Sequence, residues 1–370
     1  MPSYRDTTTL YREPIPYRGL VPATLVEEFL PDYRIMVVDR NGFPRAELDL
    51  AYVDHVTWEL NAPGEMVFKN PIDDPKVAVY PRLLIDEVQL WVEDQLSWWG
   101  VPWRESQTVE ELEVNCSGLL SYFQKRFITF TSLLYTSIDQ LTIAANLVSH
   151  AQTGTNMPLF IDIDSYTPSG HVRSRDYRRE DHANILDLLL EFPTLDDGFD
   201  FDIVVDGTGN RVWTPYYPLR GYYKQNLVLE WGRNIIDYTV NVDAVELATQ
   251  VYVTGGSSGD VKFEENYEDE DASAIYGRMQ AIVAEGSQMD VDWLLERAVN
   301  EVDTRKQPSV VPEVTAVNVP IQLLGVVEPG DVVPLRIRNG RTQLAGDYRI
   351  MKIEWKVDPN TLTLTVNKAA

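Results

Sequence analysis

A similar arrangement of strands and turns occurs twice in the chain, and it limits the possible folds more than any other feature of the sequence. The first copy opens with an apolar strand at Glu87 and continues through 100–118, and the second opens at Asp331 and continues through 346–367. In each copy an acidic residue begins the first strand, and a lone glycine and two further strands follow. The sequence therefore predicts one antiparallel β-module in two copies, although two unrelated three-stranded meanders would show the same arrangement.

The last segment of the chain has the alternation of a half-buried strand. Leu362, Leu364 and Val366 alternate with threonines, so one face of this strand is expected to be buried and the other solvated. The dipeptide Asn339-Gly340 is a turn signal that joins two such strands antiparallel. Both features favour a meander at the end of the chain.

The composition indicates a folded protein of several domains. The chain has 370 residues, of which 44% are hydrophobic and 11% aromatic, which is ample for more than one core. Cys116 is the only cysteine, which excludes an intrachain disulfide and a cysteine-based zinc site. The N-terminus lacks the apolar core of a signal peptide, and no apolar run reaches the roughly 18 residues that cross a bilayer. We therefore expect a protein that is neither exported by a signal peptide nor inserted in a membrane.

The net charge argues against tight binding to nucleic acid. The formal charge is −25, from 57 acidic and 32 basic residues. Proteins that grip DNA neutralise its phosphates with lysine and arginine, and this chain has too few of them for that. A negative surface would, however, suit a channel through which DNA slides without sticking. Solubility alone is the simpler explanation for the same charge.

Periodicity and charge predict five segments. Residues 1–30 are rich in proline and arginine without a period, and we expect an extended arm that lies on a neighbouring surface. Helical spacing begins at Ser137, where Ser137 and Gln140 fit a capping box, and a second helix is predicted over 181–191. The predicted organisation is an arm at 1–30, a first β-domain at 31–126, an α+β domain at 127–225, a second β-domain formed by 226–256 and 306–370, and an acidic helical insertion at 257–305.

An acidic stretch in the insertion is the candidate interaction site. It lacks the Asp-x-Asp-x-Asp-Gly spacing of an EF-hand, so we expect a solvated loop that faces a channel or a partner and does not bind calcium. The same insertion carries an amphipathic helix that begins near Val291. The acidic residues of the candidate site are Glu264, Glu265, Glu268, Asp269, Glu270 and Asp271.

Paired acids invite a glycosidase interpretation, because such enzymes place two carboxylates across a scissile bond. In the 200–202 pair, however, the acids alternate with Phe199, Phe201 and Ile203, which is typical of a solvated sheet face. The four histidines form no metal-binding or nucleophile pattern, and the glycines at 207 and 209 are not followed by a helix that would hold a phosphate. The acid pairs are Asp162 with Asp164, Asp196 with Asp197, and Asp200 with Asp202.

Aromatic clusters offer a second possible binding chemistry. They would either stack on sugars or seal a core or subunit interface, and packing is the default because aromatic side chains supply the most buried area. The clusters are Trp98-Trp99 with Trp103, Tyr216-Tyr217 and Tyr222-Tyr223.

Three segments of the chain resemble, in order, segments of a known family. Residues 139–152, which begin Asp-Gln-Leu and end Ala-Gln, are similar to a helix typical of that family, and Tyr177 follows a strand near a charged patch. The segments Pro329–Val333 (PGDVV) and Gly346–Ile353 (GDYRIMKI) resemble its final barrel. On these residues the chain is similar to the tail hub, or minor tail, proteins of long-tailed bacteriophages that infect Gram-positive bacteria.

The resemblance implies an α+β, multi-domain fold with two tail-tube-like antiparallel β-barrel or sandwich domains and smaller α+β domains. Three chains would form a homotrimeric ring of pseudo-sixfold symmetry at the tail tip, around a channel through which DNA passes without specific binding. The implied partners are other copies of the chain, the distal tail protein, the tail tube, the tape-measure protein and the fibre or receptor-binding proteins. The implied location is the virion, after assembly in the host cytoplasm.

The resemblance also favours a structural role without catalysis, cofactor or metal. Some larger relatives carry a peptidase or sugar-cleaving domain at the C-terminus, whereas this sequence ends at Ala370, directly after the predicted last barrel strand. The main alternative is a module that binds, or cleaves, host cell-wall glycans with the aromatic clusters and acid pairs. A cellular contractile injection device is a second alternative that the sequence does not separate from a phage.

Overall fold

The computed structural model describes residues 31–154, 159–195, 197–205, 209–258, 261–284, 291–317 and 323–369. The chain divides into two compact units. The first comprises Met1–Asp237 and Thr315–Leu364, and the second comprises Tyr238–Val314 and Thr365–Ala370. The predicted arm at 1–30 lies outside the described residues, and the division into five segments stays a prediction.

Strands make up most of the regular structure. In chain order they are β1 (Tyr33–Val38), β2 (Pro44–Glu47), β3 (Tyr52–Glu59), β4 (Ala62–Pro71), β5 (Glu87–Val92), β6 (Gln95–Gln107), β7 (Glu111–Gly118), β8 (Leu133–Asp139), β9 (Ile161–Ile163), β10 (Val172–Tyr177), β11 (Asp200–Val205), β12 (Arg211–Tyr216), β13 (Leu229–Glu230), β14 (Ile235–Asp243), β15 (Gln250–Ser258), β16 (Val261–Glu268), β17 (Gln280–Ala284), β18 (Ser309–Val317), β19 (Val332–Asn339), β20 (Thr342–Lys356) and β21 (Thr361–Lys368). The helices are α1 (Gln140–Ala151), α2 (Ile185–Glu191), α3 (Glu270–Tyr276) and α4 (Val291–Arg305).

Both predicted meanders are present. β6 pairs with β5 and β7, and β20 pairs with β19 and β21, so each meander has a long middle strand between two shorter ones. Asn339 pairs with Thr342 across the turn predicted between β19 and β20. In β21 the side chains of Leu362, Leu364 and Val366 are fully buried, which confirms the predicted apolar face, whereas Thr361 on the opposite face is also buried, at 8% exposed.

The two meanders belong to one large and mainly antiparallel sheet. Its order includes the run β2-β1-β5-β6-β7-β4-β3-β20-β21, so that β3 and β4 lie between the meanders and join them. The predicted prevalence of antiparallel β-structure is therefore confirmed. Among the described strands this order is open, with β2 at one end, and closure into barrels is not shown.

A helical layer covers a second core in the first unit. There α1 and α2 pack with the three-stranded sheet β11-β12-β9, and β8 pairs with β10. The helices supply aliphatic side chains, whereas β11, β12 and the neighbouring turns supply aromatic ones. The largest buried side chains of this core are Phe123, Phe192, Phe199, Phe201 and Trp213.

The helix starts differ from the predicted ones. α1 begins after Asp139, whose carboxylate accepts a hydrogen bond from the backbone N–H of Leu141 at 3.0 Å, whereas Ser137 lies in β8 with a φ of 54°. α2 begins at 185, because Asn184 caps it, and a separate 3-10 turn occupies 179–181. An Asp or Asn oxygen satisfies the free N–H groups of a first helical turn, so the cap decides where the helix begins.

The second unit contains its own small core. Strands β16, β15 and β17 form a sheet in that order, and α4 packs on one face of it. Leu294, Ala298 and Val302 of α4 are buried as predicted, whereas Val291 and Leu295 remain about two-fifths exposed. None of the described helices is long and apolar enough to cross a membrane.

Candidate interaction surfaces

The predicted acidic loop is not a loop. Residues 261–268 form β16, which pairs antiparallel with β15, and α3 follows from Glu270. Burial alternates along β16: Phe263, Glu265 and Tyr267 are half-buried, and Phe263 and Tyr267 pack against the core beneath α4. This alternation gives the stretch a buried face, which a count of acidic residues alone does not reveal.

Two of the six acids have structural roles. Glu268 accepts hydrogen bonds from the Ser273 hydroxyl and pairs with Arg278, both at 2.8 Å, and these contacts lower the pKa of Glu268. Asp269 caps α3 by accepting from the backbone N–H of Ala272 at 2.9 Å, and it pairs with Lys306 at 3.2 Å. The hydrogen bond from Ala272 and the Lys306 contact lower the pKa of Asp269.

The other four acids differ in exposure. Glu264, Glu270 and Asp271 are exposed, and Glu265 is half-buried. Glu270 and Asp271 occupy the first turn of α3, where negative charge is favourable next to the positive end of the helix dipole. The acidic surface of the second unit, defined here as Glu264, Glu270 and Asp271, is thus open to solvent.

The acid pair at 200–202 does not lie on a solvated sheet face as expected. Asp200 is only 2% exposed and accepts hydrogen bonds from the Asn61 side chain at 2.8 Å and the Arg220 backbone N–H at 2.7 Å. Its carboxylate also pairs with Arg349, and that of Asp202 pairs with Arg220. Burial raises the pKa of Asp202, and the Arg220 charge opposes this effect. Because arginines hold both carboxylates, the pair is not placed for acid–base chemistry.

The described residues of the other acid pairs and the histidines make local polar contacts; the Asp164 carboxylate, for example, accepts a hydrogen bond from the Thr214 hydroxyl at 3.4 Å. Asp197 lies 3.4 Å from His171, while Asp196 is outside the described residues. Burial lowers the pKa of His150, which therefore favours its neutral form. Among the described residues there is no cluster of three or more histidine, cysteine or acidic side chains that would hold a metal ion.

A buried ion pair is the feature that sequence reasoning missed. Glu87 and Arg211 are 0% and 3% exposed, and their charged atoms approach to 2.9 Å. The Glu87 carboxylate also accepts hydrogen bonds from Trp99 Nε1 at 2.8 Å and from the Tyr122 hydroxyl at 2.6 Å. The Arg211 guanidinium lies over the Trp99 ring, 4.6 Å from its centre. The sequence signal for this buried pair is Glu87 itself, an acidic residue at the start of the otherwise mainly apolar strand β5.

The aromatic clusters divide between core and surface. Trp98 and Trp99 are 5% and 8% exposed, so their rings are not free to stack on a sugar. Tyr222 and Tyr223 are 78% and 54% exposed. Tyr223 donates a hydrogen bond to Asp347 at 3.1 Å. The tyrosine pair is therefore the more accessible aromatic surface.

A cleft of about 1000 Å³ opens in the first unit. One wall combines Trp58 with the β5–β6 hairpin around Leu96, and another is formed by the segment 324–329. Asp202 and Arg220 also line it, and their mutual ion pair leaves little free charge from these two groups. The cleft is thus a mixed surface with a substantial apolar part.

Both the sequence and the fold of the chain are similar to those of phage tail proteins. Residues 223–368 match the family described as prophage endopeptidase tail, and no curated protein sequence shows significant similarity to the chain. The 43 kDa tail protein of prophage MuSo2 from Shewanella oneidensis has 12% identity and a TM-score of 0.61, with 91% of this chain and 98% of that one covered. The tail protein from Neisseria meningitidis MC58 has 12% identity and a TM-score of 0.59, with 90% and 96% covered. Prophage tail protein gp18 from Listeria monocytogenes EGD-e has 13% identity and a TM-score of 0.57, with 91% and 95% covered.

The structural matches establish a shared fold over about nine-tenths of the chain. The sequence match adds the segment from 223 to 368, which includes the whole second meander. Together they confirm the predicted resemblance to phage tail proteins: the chain shares their fold, and its segment 223–368 matches a prophage tail family.

Proposed function

We propose that this chain is a structural tail hub that forms a homotrimeric ring at the tip of a phage tail. The observation that carries the proposal is the pair of meanders, β5-β6-β7 and β19-β20-β21, in one sheet. A ring of three chains with two similar units each presents six similar units, and such a ring matches a sixfold tube to a threefold tip. In this proposal the two β-regions close into tube-like barrels within the assembly.

The ring would join the tail tube and the distal tail protein to the fibre or receptor-binding apparatus. The solved relatives are tail proteins by their descriptions, and the shared fold supports a similar position in the virion for this chain. The arm at 1–30 would clasp a neighbouring copy, and the tape-measure protein and DNA would pass through the centre.

The charge of the chain supports a channel that does not retain DNA. With a formal charge of −25, a ring of three copies repels phosphates at any surface that lacks clustered basic residues. The exposed Glu264, Glu270 and Asp271 would extend this field toward the channel. Negative charge on the channel wall would prevent contacts with phosphates that slow the DNA. In this proposal the ring guides DNA by its shape and by electrostatic repulsion.

We propose a non-enzymatic role, although the matching family is described as an endopeptidase tail. Asp200 and Asp202 are neutralised by Arg349 and Arg220, and the Trp98–Trp99 cluster is buried. Ion pairing and burial thus give Asp200, Asp202, Trp98 and Trp99 a packing role in the first unit.

Electron microscopy of the purified protein at high concentration tests the hub. Image classes with threefold symmetry and an open centre are expected, because three copies with two meanders each close the ring. Compact monomers in the presence of a tail-tube partner would contradict the hub. A saturable affinity for a cell-wall glycan that is lost in Tyr222→Ala would then favour the glycan-binding alternative.

A further inference from the structure

The small sheet of the second unit has two free edges. β15 lies between β16 and β17, and among the described residues no further strand pairs with the outer side of either one. Ala281 and Val283 of β17 pack against the core beneath α4, yet both stay half-buried at this edge. A free edge presents a row of unpaired backbone N–H and C=O groups, which is a template for a further strand.

The two edge strands differ in charge. β17 (QAIVA) has no charged residue, and its Ile282 is 75% exposed. Proteins commonly protect a free edge with charges or proline, and β17 has neither. Pairing of two β16 strands would bring like charges together, whereas β17 accepts an acidic strand without repulsion. The charged residues of β16 are Lys262, Glu264, Glu265 and Glu268.

The backbone geometry of the two edges is also complementary. The Met279 carbonyl accepts a hydrogen bond from the Gln250 N–H at 3.0 Å, so Gln250 faces β17 and the next residue, Val251, faces β16, where it pairs with Tyr267. Successive residues of a strand turn their backbone groups to opposite sides. The residues whose backbone groups point out of the sheet are therefore 280, 282 and 284 in β17 and 262, 264 and 266 in β16. All six side chains are exposed, on the face opposite α4.

We propose that β17 of one copy of the chain pairs antiparallel with β16 of the next copy. In an antiparallel pair, residues that exchange backbone hydrogen bonds have side chains on the same face. Ile282 opposite an outward residue of β16 thus continues the sheet, with α4 of both copies on one side. The contact joins two different edges, and a contact of this type closes into a ring, whereas pairing of β17 with itself would stop at two copies. The inference rests on the proposed ring and names a contact within it.

Disulfide trapping in the full chain tests this contact. Ile282→Cys is combined with Lys262→Cys, with Glu264→Cys or with Asn266→Cys in three separate proteins, which cover the possible registers, and each is oxidised mildly. The native Cys116 is 1% exposed and burial raises its pKa, so it does not compete for oxidation. We expect disulfides between chains in at least one protein, seen on a non-reducing gel as linked dimers and trimers and by mass spectrometry as a linked peptide.

Two control proteins should remain unlinked. Ile282→Cys alone reports pairing of β17 with itself. Ile282→Cys with Glu296→Cys places the second cysteine at an exposed position of α4, on the other side of the sheet. The inference is overturned if no edge pair links, or if either control links as well as the edge pairs do.

Electron microscopy of the wild-type protein reports separately on the ring. A threefold ring without edge disulfides would support the hub and overturn this contact. Edge disulfides that join more than three chains would support the contact and contradict the closed ring. The absence of both would overturn both proposals.

A proline in β17 gives an independent measurement. Ile282→Pro removes an N–H that points out of the sheet and leaves the hydrogen bonds to β15 in place. It should weaken the association of copies by roughly tenfold, because one backbone hydrogen bond is lost at each contact. Ile282→Val keeps the N–H and the β-branched shape, so it should associate like the wild-type chain. Equal association of all three proteins in sedimentation would contradict the edge contact.

Discussion

At the residue scale, the buried pair of Glu87 and Arg211 links two parts of the first unit that are distant in sequence. Glu87 is at the start of the first meander, and its carboxylate receives donors from Arg211, Trp99 and Tyr122. Arg211 begins β12, 124 residues further along the chain. The pair therefore connects the β-sheet of the meander to the α+β core with charged hydrogen bonds that solvent does not reach.

Removing one member of this pair should destabilise the protein strongly. We expect Arg211→Met to lower the free energy of unfolding by about 3–5 kcal/mol, because an unpaired carboxylate remains buried. The double variant Glu87→Gln with Arg211→Met removes that charge and should be more stable than Arg211→Met alone. Denaturant midpoints measure both effects. A double variant that is less stable than the single one would contradict the ion-pair explanation.

Asp86, the residue before β5, should make the stability of the protein depend on pH. Burial raises its pKa, but hydrogen bonds from the Arg82 guanidinium and backbone N–H outweigh this and hold the pKa of Asp86 below its ordinary 3.8. A lowered folded-state pKa contributes stability that is present above pH 3.8 and is lost as the pH falls through the folded-state value. Asp86→Asn should therefore lose less stability than the wild type between pH 6 and pH 3. Equal losses in thermal melts at the two pH values would contradict this.

The glycines in the middle strands of the two meanders are required for reasons that the residue type alone does not indicate. Gly100 and Gly346 occupy the middle strands of the two meanders, yet for different reasons. A Cβ at Gly100 would lie 2.4 Å from the Ser117 carbonyl oxygen, so close strand packing requires it. Gly346 has a φ of 149° and open space around it, so its backbone conformation is what favours glycine. The shared glycine was predictable, but its cause was not.

At the element scale, the strands were more predictable than the helix starts. Alternation in β21 and the turn at 339–340 depend on neighbouring residues, so the sequence alone indicates them. The start of α1 depends on which of several polar residues turns its side chain to the first helical N–H groups, and Asp139 does this instead of Ser137. The acidic stretch has the composition of a loop, but it forms a strand because Phe263 and Tyr267 pack on a helix that is distant in sequence.

The cap of α2 makes a testable contribution. Asn184 accepts hydrogen bonds from the backbone N–H groups of Leu186 and Asp187, at 2.9 and 3.2 Å, and its amide donates to the carbonyl of Gln124 at 2.9 Å. Asn184→Ala should cost about 1–2 kcal/mol of stability, whereas Asn184→Asp, which keeps the capping oxygen, should cost less. Thermal unfolding compares the two. Equal losses would assign the effect to the amide donor and not to the cap.

At the scale of the whole molecule, the sequence predicts more of the fold of the single chain than of its assembly with other copies. The two meanders and the resemblance to tail proteins depend on patterns within one chain, whereas the joining of the meanders through β3 and β4 is visible only in the structure. Closure of the proposed ring depends on surfaces that meet only between copies, and the surroundings of the exposed Glu264, Glu270 and Asp271 are set by the same assembly. Their placement toward a channel is the part of the proposal with the most direct functional test.

Charge reversal on the acidic surface of the second unit should slow DNA release in a phage that carries this protein. Glu264→Lys, Glu270→Lys and Asp271→Lys together would create a basic patch that attracts phosphates along the channel, and the delay should shrink as salt is raised, because counterion release weakens such contacts. The matched control carries Asp94→Lys, Glu105→Lys and Glu110→Lys, three exposed acids of the first meander that give the same change in net charge. Ejection followed with a DNA-binding dye should be slower for the variant of the second unit than for the control. Equal ejection rates from intact tails would place these acids outside the channel, and a failure of tails to assemble would assign them to a contact with another tail protein.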